Sequence, residues 1–250
     1  ITGLPVTVEV ANAKQVQDAL AFEIDVLWIG ARTTVNPFSV QEVADALRGV
    51  DIPVLIKNPV NPDPELWSGA VERIARAGIN RIGLIHRGFT SYGNSEFRNA
   101  PMWHLAIDMK LRYPDMLFIN DPSHICGRRD NLREVMQKAI DLDYDGFIIE
   151  SHCDPDHAWS DASQQVTPET LSLMLDQIKW RKEDTSSAEF HIALEKLRNQ
   201  INQLDDELMQ ILSRRMKIAD QIGRYKKDNN ITILQTTRWN EVMDRAVSGG

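Results

Sequence analysis

The chain has 250 residues, 42% of them hydrophobic and 26% charged, which suits a globular protein with one large and one smaller domain. Its formal charge of −8 lacks the basic excess that a nucleic-acid backbone demands, so we expect no nucleic-acid partner. Neither a signal segment nor a run of roughly 20 apolar residues is present, and the two cysteines form no C-x-x-C pattern; we therefore expect a cytoplasmic protein with no membrane partner.

Six short, β-branched apolar runs recur along the first part of the chain, separated by amphipathic stretches. The predicted strands are Val6–Val10, Val26–Ile29, Val54–Lys57, Ile82–Ile85, Leu117–Asn120 and Gly146–Glu150. The clearest predicted helices are Pro64–Ala77, Asn131–Leu142 and Pro168–Trp180. Asp63 and Thr167 are N-cap candidates because each precedes a proline at the first helical position. Alternating strands and helices indicate a parallel sheet, either a barrel or a doubly wound sheet.

A polar group lies at or just past the end of each predicted strand. These groups are Glu9, Arg32, Lys57, Arg87, His124 and Glu150. A barrel gathers all its strand ends around one mouth, whereas an open sheet spreads several of them along an edge. We therefore predict an α/β fold in which residues 1–182 form a (β/α)8 TIM barrel, with two N-terminal units absent from this chain.

Metal-ligating residue types follow the last two strands. His124 belongs to Asp121-Pro122-Ser123-His124, Glu150 ends the next strand, and Asp161 comes eleven residues later. An imidazole and two carboxylates on neighbouring loops suit a divalent ion such as Mn, Fe, Co or Zn. Any one of them alone is more often a structural residue, but their joint placement favours a metal site. His152 is a candidate for supporting a ligand instead of being one.

Three cations each follow an apolar strand, namely Arg32, Lys57 and Arg87. One interpretation is a set of ion pairs with carboxylates at the barrel mouth. The other is a pocket for phosphate and carboxylate groups, because a guanidinium binds oxyanions in a bidentate manner. Three cations directed into one mouth of an acidic protein favour an anionic ligand.

The order of these motifs resembles that of a known family. The motifs are Ile29-Gly30-Ala31-Arg32, Lys57, His86-Arg87-Gly88, Asp121-Pro122-Ser123-His124-x-x-Gly127-Arg128-Arg129, Glu150-x-His152 and Ser160-Asp161. Over residues 4–182 the chain resembles the short form of 3-deoxy-D-arabino-heptulosonate 7-phosphate synthase, also called phospho-2-dehydro-3-deoxyheptonate aldolase. This resemblance implies that His124, Glu150 and Asp161 are metal ligands. It also implies that Arg32, Lys57 and Arg87 hold phosphoenolpyruvate.

The implied reaction condenses phosphoenolpyruvate with erythrose 4-phosphate, whose aldehyde the metal polarises as a Lewis acid. Lys57, which is crowded by arginines, is also the candidate for proton transfer. The family's metal-ligating cysteine on the first barrel strand is not in this chain, and Cys126 and Cys153 are not expected to replace it. The alternative is a 3-deoxy-octulosonate 8-phosphate synthase, which shares this logic but uses arabinose 5-phosphate.

The pattern changes after Trp180. A polar stretch at 183–189 is typical of a linker, and apolar residues then recur in steps of three and four as in a long helix of about 35–40 residues with one apolar seam. Asn229-Asn230 is expected to end it, and 237–247 to begin a second helix. Arg215 occupies a seam position, where it either pairs with an acidic residue at 205–207 of a partner helix or binds an anionic ligand.

Residues 190–250 resemble the all-helical chorismate mutase family. The resemblance rests on Leu194-x-x-Leu197-Arg198-x-x-Ile201-x-x-Leu204-Asp205, Leu212-x-x-Arg215, Ile222-Gly223-x-x-Lys226 and Arg238. It implies that Arg198, Arg215 and Lys226 contact chorismate, that Arg238 assists them, and that the product is prephenate. It also implies a homodimer through the tail, with Arg198 reaching the other subunit. Because Trp239 replaces the family's usual Glu, a non-catalytic module that senses prephenate or chorismate is the alternative.

Overall fold

The computed structural model describes residues 2–93, 96–182 and 184–248. The chain forms two compact units, residues 1–183 and 184–250. Ile1, Glu183 and the last two glycines, which the predicted domain bounds include, lie outside the described residues. Each unit is described by itself below.

Six parallel strands form one sheet in the first unit. They are β1 (Thr7–Val10), β2 (Val26–Ile29), β3 (Val54–Lys57), β4 (Ile82–His86), β5 (Leu117–Asn120) and β6 (Gly146–Phe147). Their order in the sheet is their order in the chain. The register pairs Lys57 with Ile85 and His86 with Asn120, so the carboxyl ends of β3, β4 and β5 lie side by side.

The helices of this unit follow the strands and cover the sheet. They are α1 (Ala13–Ala21), α2 (Ala31–Thr34), α3 (Pro37–Ala46), α4 (Pro64–Arg76), α5 (Trp103–Arg112), α6 (Pro122–Cys126), α7 (Leu132–Asp141) and α8 (Pro168–Gln177), with a 3-10 turn at Pro155–His157. Both predicted N-caps are confirmed: Asp63 accepts from the backbone N–H groups of Glu65 and Leu66, and Thr167 accepts from that of Thr170. The core between sheet and helices is aliphatic, with Trp67 and Phe118 fully buried.

The helix α8 ends at Gln177, short of the predicted Trp180, and two larger features also differ from the sequence-based prediction. The predicted last strand extends to Glu150, but β6 ends at Phe147. It pairs only with β5 among the described strands, and a strand with one neighbour makes half the ladder hydrogen bonds of a central strand. The six strands form an open sheet with the sequential parallel order of a βα barrel, so the closed eight-stranded barrel is not itself observed.

The second unit consists of α9 (Ala188–Asp228) and α10 (Thr236–Ser248). The helix α9 has 41 residues and begins inside the predicted linker, because the Ser187 hydroxyl accepts from the Phe190 N–H and caps it there. It ends at the predicted Asn229. Every residue of α9 is at least partly exposed, including seam residues such as Leu208 and Ile222. Among the described helices, none has the length and apolar character to cross a membrane.

Candidate active site

The carboxyl ends of the strands surround a polar cavity of about 180 Å³. Its lining residues are Glu9, Trp28, Gly30, Ala31, Arg32, Lys57, Val60, Arg87, Arg98, His124 and Asp161. The three predicted cations therefore share one cavity with two of the predicted metal ligands. Parallel strands produce this convergence because all of them present their carboxyl ends on the same side.

The three predicted metal ligands lie together. One ligand atom each from His124, Glu150 and Asp161 can be chosen so that all lie within 4.8 Å of one another, and His124 Nε2 is 3.7 Å from Glu150 Oε1. The fold sets this arrangement: His124 lies on α6, whose N-cap Asp121 accepts from the His124 backbone N–H at 3.0 Å. Asp161 lies in the loop after β6 and has a left-handed backbone with φ of +47°.

The donor set fits a divalent cation. His124 Nδ1 lies 2.9 Å from Asp121 Oδ2, so this nitrogen carries the proton and Nε2 presents its lone pair toward Glu150. A carboxylate behind a histidine fixes the tautomer that a metal requires. One imidazole nitrogen with two carboxylates is the set that Mn, Fe, Co and Zn accept. His152 instead accepts through Nδ1 from the backbone N–H of Asp154 and so bonds within its own loop.

Lys57 and Asp121 form a buried ion pair beside this site. Their Nζ and Oδ2 atoms are 2.7 Å apart, and the side chains are 6% and 2% exposed. Burial raises the pKa of Asp121, but the hydrogen bond with His124 and the charge of Lys57 outweigh it and bring the pKa to about 2. The Lys57 ammonium also lies 4.3 Å from the centre of the Trp28 ring. Lys57 is thus fixed at the cavity wall by a carboxylate and an aromatic ring.

Arg87 is held by two asparagines. Asn58 Oδ1 accepts from the Arg87 backbone N–H at 2.6 Å, and Asn99 Oδ1 accepts from Arg87 Nη1 at 2.7 Å. Burial lowers the pKa of Arg87, Asp121 opposes this shift, and the positive charges of Arg98 and Arg32 add to it. Because nearby cations disfavour one another, an anion among them is stabilised. Arg32, on α2, is the exposed member of the predicted set.

Arg98 and Gln164 also contact the predicted metal ligands, although no sequence pattern pointed to them. Arg98 Nη1 donates to Asp161 Oδ1 at 2.7 Å and to Gln164 Oε1 at 2.8 Å. Gln164 Nε2 in turn donates to Glu150 Oε2 at 2.7 Å. Neither residue ends a strand, so the rule that identified the other cations could not find them.

His86, in the same motif as Arg87, is part of the core. Its Nε2 donates to the Pro101 carbonyl at 2.7 Å and its Nδ1 accepts from the Tyr144 hydroxyl at 2.9 Å. Burial lowers its pKa from 6.5 to about 4, although the bond to Pro101 opposes the shift. His86 is therefore neutral near pH 7 and supports the wall that carries Arg87.

The tail cations are not brought together within this chain. Arg198 pairs with Glu195 at 2.9 Å, Arg238 pairs with Glu241 at 2.9 Å, and Lys226 Nζ donates to the Ile233 carbonyl at 2.8 Å. Arg215 lines a shallow apolar groove of α9 with Ile211, Ile218 and Ile222. Arg198 and Lys226 are 28 positions apart on one helix, or about 42 Å at 1.5 Å per residue.

Comparison with known proteins separates the two parts of the chain. Residues 1–187 match the model of the DAHP synthetase I family, and residues 197–250 match that of chorismate mutase type II. A phospho-2-dehydro-3-deoxyheptonate aldolase of Thermotoga maritima is 29% identical over 155 residues, which are 62% of this chain and 44% of that protein. The chain thus spans less than half the length of this relative.

Solved structures of Thermotoga maritima proteins share the fold of the first unit. A truncated form of 3-deoxy-D-arabino-heptulosonate 7-phosphate synthase superposes with a TM-score of 0.62 at 26% identity, covering 70% of this chain and 64% of that one. A phospho-2-dehydro-3-deoxyheptonate aldolase gives 0.60 at 26% identity, covering 70% and 50%. With a family model matching 187 of its 250 residues, the chain belongs to the DAHP synthetase I family, and it carries a chorismate mutase type II segment at residues 197–250.

Proposed function

We propose that the protein condenses phosphoenolpyruvate with erythrose 4-phosphate to give 3-deoxy-D-arabino-heptulosonate 7-phosphate, and that its tail converts chorismate to prephenate. The domain bounds proposed are 1–182 for the synthase, as part of a closed (β/α)8 barrel, 183–189 for a linker and 190–250 for the mutase. A cytoplasmic location is part of this proposal; Cys126 and Cys153, both present as thiols, support it.

One observation carries the synthase proposal: three side chains of metal-ligating types lie together beside a cavity that four cationic side chains line. His124, Glu150 and Asp161 converge within 4.8 Å. Arg32, Lys57, Arg87 and Arg98 line the adjoining cavity. Phosphoenolpyruvate carries a phosphate and a carboxylate, and a group of cations in one cavity matches both.

The chain's own residues supply most of the chemistry. Arg32, Lys57 and Arg87 bind phosphoenolpyruvate and orient its nucleophilic carbon toward the aldehyde. His124, Glu150 and Asp161 would hold a divalent ion, proposed as Mn, Fe, Co or Zn, which would act as a Lewis acid on the aldehyde. When the new carbon–carbon bond forms, the phosphate-bearing carbon of phosphoenolpyruvate becomes cationic; water adds to it, and phosphate leaves from the resulting tetrahedral carbon. The former aldehyde oxygen is left with negative charge and needs a proton. Lys57 Nζ can give one, with Asp121 at 2.7 Å to hold the ammonium in position.

The test is an assay of phosphate release from phosphoenolpyruvate with Mn²⁺ and either erythrose 4-phosphate or arabinose 5-phosphate. We expect turnover with erythrose 4-phosphate. The His124→Ala variant, which removes one of the three predicted metal ligands, should lose at least about a hundredfold in kcat/KM. Arg48→Ala, in an outer groove beside α3 and α4, is the matched control and should retain activity. Turnover with arabinose 5-phosphate alone would replace the proposal with the octulosonate synthase.

For the tail, we propose a homodimer in which cations of two chains form each chorismate site. The separation of Arg198 from Lys226 along α9 supports this, because one helix cannot bring them to a ligand of chorismate's size. The exposed seam of α9 offers the surface to pair. Arg198, Arg215 and Lys226 would hold the two carboxylates and the ether oxygen in a compact conformer, with Arg238 as an additional contact.

Chorismate turnover by the purified protein separates a mutase from a sensor. We expect absorbance of chorismate to fall with saturable kinetics, and Arg215→Ala to reduce kcat/KM by at least about a hundredfold. Binding of prephenate without any turnover of chorismate would support the sensing alternative, which Trp239, in place of the family's usual Glu, favours.

A further inference from the structure

We propose that Arg98 and Gln164 form a positioning pair that orients both carboxylate metal ligands before the cation arrives. This inference rests on the metal site proposed above. It adds two residues that contact the ligands and not the cation itself. The observations that support it are the fixed path of Arg98, the bonds to the two carboxylates and the burial of Gln164.

Arg98 is held at its backbone, along its aliphatic stem and at its guanidinium. Its backbone N–H donates to the Cys126 carbonyl at 3.4 Å, next to a bond from the Asn99 N–H to Ile125 at 3.1 Å. Its aliphatic stem crosses Gly127, where an added Cβ would lie 2.5 Å from Arg98 Cβ and 2.7 Å from its Cδ. Gly127 also has a φ of +67°, a left-handed backbone conformation that residues with a side chain rarely adopt. Gly127 therefore leaves the space through which the arginine reaches the site.

The guanidinium and the amide bind one oxygen of each carboxylate. Arg98 Nη1 occupies Asp161 Oδ1 at 2.7 Å, and Gln164 Nε2 occupies Glu150 Oε2 at 2.7 Å. The Arg98 bond to Gln164 Oε1 at 2.8 Å fixes which way the amide points. The Glu150 Oε1 atom is then directed toward His124 Nε2 at 3.7 Å. Glu150 thus presents its other oxygen toward the imidazole, and the bond from Arg98 takes up Oδ1 of Asp161.

Electrostatics gives the pair a further role. Two carboxylates brought together repel each other, and the positive charge of Arg98 reduces this repulsion. Arg98 Nη1 lies 2.7 Å from Asp161 Oδ1, so its positive charge acts directly on one of the two carboxylates. Gln164 is fully buried, and its neutral amide links Arg98 to Glu150, so Glu150 is held in place without an additional charge. Groups behind metal ligands commonly change metal affinity by about 10–100-fold.

The experiment is an Mn²⁺ titration of the purified protein without substrates, monitored by the EPR signal of unbound Mn²⁺. Arg98→Met is the main variant, because Arg98 is 46% exposed and its loss should not prevent folding. Gln164→Met removes the amide at similar volume, Arg98→Lys restores the charge, and Arg48→Ala is the control. Thermal unfolding without metal reports folding separately.

We expect Mn²⁺ to bind at least about tenfold more weakly to Arg98→Met and Gln164→Met, with partial recovery in Arg98→Lys and no change in Arg48→Ala. The metal-free thermal midpoint of Arg98→Met should stay near that of the unchanged protein. Equal or tighter Mn²⁺ binding by Arg98→Met would overturn the proposal. A failure of the metal site itself looks different: the unchanged protein would show no saturable binding, or His124→Ala would bind equally well.

Discussion

The two units of this chain place their candidate site residues in opposite ways. In the first unit, polar side chains bond to one another: Lys57 to Asp121 and Asp121 to His124, all at 2.9 Å or less. In the second unit, Arg198 pairs with a neighbour on its own helix, and its side chain is 61% exposed. A sheet closes a site within one chain because its strand ends converge, whereas a single helix spreads its residues over its length.

The largest expected effect concerns the buried ion pair of the first unit. We expect Lys57→Met to lower the free energy of unfolding by about 3–5 kcal/mol, because Asp121 keeps its charge at 2% exposure without its main cation. Synthase turnover should also be lost. Urea denaturation followed by tryptophan fluorescence measures the change. If the free energy of unfolding fell by less than about 1 kcal/mol, solvent would have to reach Asp121. The contrast between buried ion pairs in the first unit and exposed pairs in the tail would then fail.

The next effect is a pH dependence confined to the first unit. Burial lowers the pKa of His86 to about 4 from 6.5, so the unfolded chain binds this proton more readily than the folded chain. Stability should therefore be full above pH 6.5 and fall as the pH drops toward 4, by roughly 3 kcal/mol. Asp121 makes its own contribution to acid instability mainly between its ordinary pKa of 3.8 and its folded-state pKa of about 2, below most of this range.

His86→Gln isolates that dependence. Glutamine can still accept from Tyr144 and donate to Pro101, but it does not titrate. Urea midpoints between pH 7 and 4.5 should fall less steeply for His86→Gln than for the unchanged protein. His104→Gln, at an exposed position of α5, should keep the original slope. The same slope in all three proteins would contradict a buried neutral His86.

The sequence identified the parts of the site that follow a simple geometric rule. His124, Glu150 and the cations Arg32, Lys57 and Arg87 follow apolar strands, and parallel strands bring such positions together. Arg98 and Gln164 lie in long loops, and their approach to Asp161 depends on bonds between loops that no spacing encodes. Gly127 is the one local sign, but only the structure shows what it makes room for.

In the tail, the spacing of apolar residues in steps of three and four predicted the long helix. The same spacing could not identify the helix that packs against it. The seam residues stay exposed, Leu208 at 53% and Ile211 at 53%, because packing them requires another helix. A local pattern thus determines that α9 forms, and where it ends, more reliably than it determines the site. The metal triad is the converse case, where distant residues meet in one chain.

The dimer proposal gives the third effect. Leu208→Glu should weaken self-association at least about a hundredfold. Each subunit would lose the burial of a leucine, which stabilises by about 1.5–3 kcal/mol, and would have to bury a charge instead. Chorismate turnover should fall with it, while Mn²⁺ binding at the synthase site stays unchanged. Sedimentation equilibrium measures the association. Ser213→Glu, on the opposite side of α9, is the matched control; equal weakening by both variants would exclude the seam as the interface.

Arg198→Met should have the smallest effect on stability. It is the direct counterpart of Lys57→Met, because it removes the cation of an exposed ion pair instead of a buried one. Its pair with Glu195 has both side chains more than 60% exposed, and exposed pairs contribute about 0.5 kcal/mol or less. The free energy of unfolding should hence hardly change, while chorismate kcat/KM falls if the guanidinium reaches the ligand of the partner subunit. Urea denaturation and chorismate absorbance, measured on one preparation, test both parts. A large loss of stability would show that Arg198 supports the helix, and unchanged turnover would remove it from the mutase site.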